Sequence, residues 1–159
     1  MIRKALPREA NLLTILTKRS KQHWGYPENY MDAWAEDLTI HEQYIEMNTV
    51  FVFEDEGEIL GYVSFIQENK DLEIGSHRFV VSGSLDNLFI EPDYIGQGLG
   101  QQLVEFLIAW CVREHATSFY LVADPHAKGF YEKLGFLLVG EQETQIPNRS
   151  LPIFLFKGE

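Results

Sequence analysis

Three glycines at alternate positions, Gly96, Gly98 and Gly100, follow a short apolar run, Leu85 to Ile90, and then Pro92. Bulky residues dominate the run, as in a strand. Pro92 has no N–H to give a sheet ladder, so the strand should stop before it. After the glycines, Leu99, Leu103, Phe106, Leu107 and Trp110 recur at spacings that predict one apolar face of a helix. A strand, a glycine-rich turn and a helix in that order have a definite chemical capacity. Glycine tolerates positive φ and lets another group approach the backbone closely. The first N–H groups of a helix have no partner within it and lie at the positive end of its dipole. A phosphate or pyrophosphate fits there. Taken alone, the glycines suit equally a tight turn that binds nothing, since glycine-rich loops are common.

The pattern separates the known phosphate loops. Gly96 and Gly98 match the start of a G-x-G-x-x-G dinucleotide fingerprint, but Gln101 stands where the third glycine belongs. No Lys-Ser or Lys-Thr follows, as a Walker A loop requires. The stretch Ile95-Gly96-Gln97-Gly98-Leu99-Gly100 resembles motif A of the GNAT superfamily of acyltransferases, [QR]-x-x-G-x-[GA]. Ile95 departs from the usual Arg or Gln, which bears on a side-chain contact and not on the backbone cradle. A second strand-like run, Ser118 to Ala123, leads into D-P-H-A-K-G-F-Y-E-K-L-G-F, Asp124 to Phe136. It is similar to motif B of the same superfamily, N-x-x-A-x-x-F-Y-x-K-x-G-F. Ala127, Phe130, Tyr131, Lys133, Gly135 and Phe136 match, and Asp124 replaces the common Asn. The resemblance covers Val50 to Lys157 and is looser over the first fifty residues.

The resemblance implies acetyl-CoA as cosubstrate, with its pyrophosphate on the turn at Gly96, Gln97, Gly98, Leu99, Gly100 and Gln101. It implies a pantetheine arm bonded to the strand that carries Leu88 and Ile90, beside a neighbouring strand at Ser118–Ala123 that splays away. Asp124 and Lys128 complete the expected cofactor-binding positions. Tyr131 resembles the superfamily tyrosine whose hydroxyl approaches the sulfur, with packing beside Phe130 as its other role. The region equivalent to the aromatic loop at His23, Trp24 and Tyr26 arches over the acceptor in such proteins, so these three are candidate substrate-binding residues. Ordinary packing between two helices accounts for the aromatics equally well.

A thioester is already activated, so acylating an amine needs few groups. The amine must be neutral, the developing oxyanion must be stabilised, and the thiolate should be protonated as it leaves. Tyr131 is the candidate acid. Glu91, directly after the strand, is the candidate base through water, with Asp86 and His126 as rivals. No metal is required, and His23, His41, His77, His115 and His126 show no recognised metal-ligand spacing. Two function classes follow: an N-acetyltransferase for a small molecule or peptide acting by direct attack in a ternary complex, or a non-catalytic acyl-CoA-binding module of the same fold.

The elements that must position these residues fit within a single domain, since 159 residues with 45% apolar content can bury a core. No apolar run reaches the roughly 20 residues of a membrane helix, and Met1 to Pro7 does not read as a signal peptide. Cys111 is the only cysteine, which excludes an internal disulfide and fits a reducing cytoplasm. A net charge of −11 repels nucleic acid and favours cationic partners. The expected partners are acetyl-CoA and an amine, cationic overall and held by Trp24 and Tyr26; no nucleic acid or membrane is expected, and a homodimer stays open. Along the chain, strands are expected at Ile2–Leu6, Val50–Phe53 and Ile59–Ile66, the last two as a hairpin. Helices are expected at Arg8–Lys18 and Glu28–Asp37, with a loop from Ser20 to Pro27. Gln67 to Gly75 reads as a loop, and Phe79–Val81, Phe136–Gly140 and Ile153–Phe156 as further strands. The expected fold class is α/β, with a mixed, mostly antiparallel central sheet of about six or seven strands flanked by helices.

Overall fold

A computed structural model describes residues 1–158. Seven strands form one sheet in the order β1-β2-β3-β4-β5-β7-β6. They are β1 (Ile2–Lys4), β2 (Thr49–Asp55), β3 (Glu58–Ile74), β4 (His77–Ile90), β5 (Ser118–Val122), β6 (Leu137–Glu143) and β7 (Ser150–Lys157). Among the described residues, five α-helices accompany them: α1 (Ala10–Gln22), α2 (Glu28–Ala33), α3 (Glu42–Met47), α4 (Leu99–Arg113) and α5 (Lys128–Lys133). The β1–β2, β2–β3, β5–β7 and β6–β7 pairs are antiparallel. β4 and β5 are parallel, so the mixed, mostly antiparallel sheet expected from the sequence is present.

The chain gathers into two compact units. One comprises Met1–Phe65 with Asn87–Ile108. Its core is the buried face of α1, Ala10, Leu13 and Leu16, packed with Val50, Val52 and Tyr62 of the β2–β3 hairpin and with Ile40 and Ile45. The Tyr62 hydroxyl would be costly to bury alone; it shares a 2.6 Å hydrogen bond with Thr17, whose own hydroxyl lies 2.6 Å from the Leu13 carbonyl. The start of the chain is pinned by charge. Arg3 donates to both oxygens of Glu9, at 3.0 and 2.8 Å, and to Glu54 at 3.0 Å. The Leu6 N–H donates to Glu9 at 2.7 Å.

Hydrogen bonding from Arg3 holds the Glu9 carboxyl below its ordinary value, against the opposing effect of burial. The folded state therefore takes up this proton at lower pH than the unfolded chain does. Glu9 contributes its full stabilisation above about pH 4.3 and loses it as pH falls through the depressed value. Glu9→Gln is expected to cost about 1–3 kcal/mol at pH 7 by leaving Arg3 underpaired. Its cost should shrink on acidification below about pH 4, as read by urea unfolding across pH.

The second unit comprises Ile66–Asp86 with the chain from Ala109 on. Its core is aromatic: Phe119 lies 5.0 Å from Phe156 and 5.9 Å from Phe136, and Tyr131 lies 5.8 Å from Phe154. Cys111 is buried, and burial alone pushes its thiol up to about 12.

Several expected boundaries move. α1 continues to Gln22, so the loop before α2 starts at His23, and α2 stops at Ala33 and not Asp37. Gln67 to Gly75 is not a loop: β3 runs through to Ile74 and β4 begins at His77, which makes a long hairpin with its turn at Gly75. From Ile66 on, the side chains of β3 are exposed or half-buried, so its polar composition suits a solvated strand. α3 was not expected at all.

Candidate active site

β4 ends where the sequence requires. The Glu91 N–H donates to the Leu60 carbonyl at 2.8 Å, and Pro92–Tyr94 turns as a 3₁₀ helix. Gly96 and Gly98 then have φ of +87° and +85°, a region that costs other L-residues roughly 1–2 kcal/mol. A Cβ built on either would meet nothing within 4 Å. These glycines therefore serve backbone conformation and an open approach, and do not make room for a neighbouring side chain. α4 begins at Leu99, and its first i→i−4 bond runs from the Gln102 N–H to the Gly98 carbonyl, 3.1 Å. The preceding N–H groups stand at the helix start as orphan donors with the dipole behind them. Leu99 is buried and fixes the first turn, while Gly96, Gln97, Gly98 and Gln101 are exposed. The Gln97 side chain donates to the Asp93 carbonyl at 3.3 Å, and Gln101 donates to Glu105 at 2.8 Å. Exposed N–H donors at the start of a helix suit a phosphate.

Leu88 and Ile90 lie on β4 and are half-buried. Among the described residues, the ladder between β4 and β5 is a single pair, Ser84 with Tyr120. Leu121 and Val122 continue β5 paired to β7 at Phe154 and Ile153.

Glu91 has a side chain 19% exposed, with its carboxylate 3.5 Å from Arg19. It borders a groove of about 550 Å³ whose lining includes Leu12, Ile15, Arg19, Asp93 and Tyr94.

In the second unit, Asp124 opens the turn to α5. Its carboxylate accepts from the His126 N–H at 2.9 Å, lies 2.8 Å from the His126 ring and 3.7 Å from Arg149. His126, a rival base, is thus tied to Asp124, while Asp86 is exposed on β4. Lys128 is the first residue of α5 and is half-buried. Tyr131 is 4% exposed and packed among Phe130, Phe136 and Phe154 at 5.0, 5.5 and 5.8 Å. Burial alone raises its hydroxyl above the ordinary tyrosine value, so it remains protonated throughout the neutral range. α5 is closed by Gly135 at φ +88°, which is the physical reason for the glycine of the second motif.

The sequence profile of the acetyltransferase (GNAT) family matches residues 14–136, a stretch that contains the glycine turn, β4, β5 and Tyr131. The chain belongs to the GNAT family of acetyltransferases. Its relatives include the peptidyl-lysine N-acetyltransferase YjaB of Salmonella typhimurium, 35% identical over 43% of this chain and 46% of that protein. The peptidyl-lysine N-acetyltransferase YiaC of Escherichia coli is 24% identical over 78% of this chain and 77% of its own length. Like YjaB, other relatives at above 30% identity are matched over about half their length or less. The crystal structure of the PaiA N-acetyltransferase of Thermoplasma acidophilum in complex with coenzyme A superposes with a TM-score of 0.76, at 18% identity, covering 99% of this chain and 98% of that one. This agreement extends the GNAT fold over the loosely matching first fifty residues.

The aromatic loop of this GNAT chain packs through its rings. His23 and Trp24 pack edge to face at 5.0 Å. Tyr26 meets Trp34, 5.0 Å away at 86°, and Tyr30 lies 5.5 Å from Trp34. Tyr30 and Trp34 went unnoticed as site residues, although Tyr26, Tyr30 and Trp34 recur every fourth position, a spacing that stacks side chains on one helical face.

Proposed function

We propose that this chain transfers an acetyl group from acetyl-CoA to a primary amine of a small molecule or peptide by direct attack in a ternary complex. The observation that carries the reading is the pair of left-handed glycines, Gly96 and Gly98, opening α4 with free space above them. In this reading the N–H groups from Gly96 to Gln101 hold the pyrophosphate, the backbone at Leu88 and Ile90 orients the pantetheine, and Asp124 and Lys128 border the cofactor. Acetyl-CoA supplies an activated thioester. Tyr131 keeps its proton at neutral pH and donates it, or a hydrogen bond, to the departing sulfur. Glu91 accepts a proton from the amine through water. His23, Trp24 and Tyr26 shape the acceptor side. Direct attack is favoured over an acyl-enzyme because the one cysteine, Cys111, is 1% exposed with its thiol pushed up to about 12, so it offers neither access nor thiolate.

The test is thiol release from acetyl-CoA with a panel of primary amines. Intersecting initial-velocity lines support the ternary complex, and parallel lines overturn it. No amine-dependent release, with coenzyme A binding intact, would favour the acyl-CoA-binding module. Activity should climb towards alkaline pH as the amine loses its proton. Glu91→Gln is expected to lower kcat by about a hundredfold while leaving coenzyme A affinity unchanged. An unaltered kcat would move the base role to Asp86 or to water.

A further inference from the structure

The ring group on α2 already holds a cation, and it is the protein's own. The Lys21 ammonium sits 4.8 Å from the Trp34 ring centre and 5.1 Å from that of Tyr26. Both distances lie within the roughly 6 Å over which an aromatic face attracts a positive charge. The two rings stand at 86° with centres 5.0 Å apart, forming two walls of a corner. Tyr30 extends it, 5.5 Å from Trp34 and 6.4 Å from Tyr26. All three rings are half-buried, so each keeps an accessible face. From His23 to Asp37 the chain has no lysine or arginine, but it has Glu28, Asp32, Glu36 and Asp37, all exposed. Glu36 is engaged by His41 at 2.9 Å. An aromatic corner in a field of carboxylates is complementary to a positive charge on both counts.

From this we infer that the Tyr26–Tyr30–Trp34 corner is a binding site for organic cations of the alkylammonium class, with Lys21 as a displaceable occupant. Lysine suits that part. Its ammonium is a compact charge on a flexible stem, so it swings out to solvent at little steric cost when another cation enters. A ligand must outcompete it, and the apparent affinity falls by the fraction of molecules in which the corner is empty. As a statement about acceptors, the inference rests on the transferase reading, because the corner lies in the loop and helix expected over the acceptor. As a statement about binding, it does not.

The test uses tetramethylammonium, which carries the charge and cannot be acetylated. It is titrated against the full chain at constant ionic strength, and the indole N–H signals are followed by NMR. Trp34 should shift more than Trp24. Lys21→Ala should tighten the dissociation constant by about threefold to thirtyfold, as expected if the corner is mostly self-occupied. In that background Trp34→Leu should abolish saturable binding, and Trp34→Phe, which restores a ring, should recover part of it. tert-Butanol, similar in size and uncharged, should produce no saturable shift. Equal affinity in the wild type and Lys21→Ala would overturn the displacement, and undiminished binding in Lys21→Ala/Trp34→Leu would overturn the site. The two readings fail separately. A chain that binds tetramethylammonium but releases no thiol with any amine keeps the site and loses the transferase. A chain that releases thiol without binding tetramethylammonium keeps the transferase and loses the site.

Discussion

Tyr131→Phe is expected to retain coenzyme A affinity and lose turnover by about tenfold to a hundredfold. The magnitude comes from the environment. A thiol leaves as a thiolate, whose conjugate acid has a pKa near 8.5, below that of an ordinary tyrosine at about 10. Burial raises the Tyr131 hydroxyl further, so complete transfer of its proton to sulfur is uphill. What the hydroxyl offers best is a hydrogen bond to the charge as it develops, and a bond to a charged group contributes roughly 1.5–3 kcal/mol. Each 1.4 kcal/mol is tenfold in rate, which gives the range. The ring remains to fill its place among Phe130, Phe136 and Phe154, so the melting temperature should barely change. The decisive measurement is kcat with an active amine, alongside thermal shift by coenzyme A. Turnover equal to wild type would mean that water protonates the sulfur and that Tyr131 is there to pack.

The parts of the site legible in the sequence are those where backbone conformation dictates residue type. Gly96, Gly98 and Gly135 all have positive φ, so each leaves its mark as a glycine. The buried stripe of α4, Leu99, Leu103, Val104, Leu107 and Cys111, recurs at helical spacing and is equally readable. What was not legible depends on backbone pairing or on side-chain torsions. The outer half of the β3–β4 hairpin has few buried side chains, so its hydrogen-bonded ladder left no apolar alternation to read. α3 spans only six residues, Glu42–Met47, under two helical turns and too few for a period to emerge. The aromatic corner needed the end of α2 at Ala33, which brings Trp34 beside Tyr26. It also needed the torsions that lay Lys21 across both rings. Sequence shows that aromatics and a lysine are near one another along the chain, but not which of them meet.

Gly98→Val is expected to leave the protein folded and abolish its stabilisation by coenzyme A. A wild-type chain at a hundredfold excess of ligand over Kd gains about 2.7 kcal/mol. For a protein of this size that is a rise in Tm of about 5–10 °C. The substitution acts in two ways that can be separated. Gly98 has φ +85°, so any side chain there strains the backbone by roughly 1–2 kcal/mol, and a β-branched one fits least well. The unliganded protein should therefore melt a few degrees lower, about 2–8 °C. The second effect concerns the ligand alone. A Cβ at Gly98 would meet nothing within 4 Å, so a valine there adds bulk beside the start of α4 without a clash at that atom. Strain without obstruction is available as a control at Gly75, which has φ +60°, similarly open surroundings and a place in the β3–β4 turn. Gly75→Val should lower the unliganded Tm comparably and keep the full rise with coenzyme A. Gly98→Val should lower the Tm and show a rise near zero. A full ligand-induced rise in Gly98→Val would mean that the pyrophosphate lies elsewhere. Loss of the rise in both variants would mean that general destabilisation, and not the cradle, controls binding.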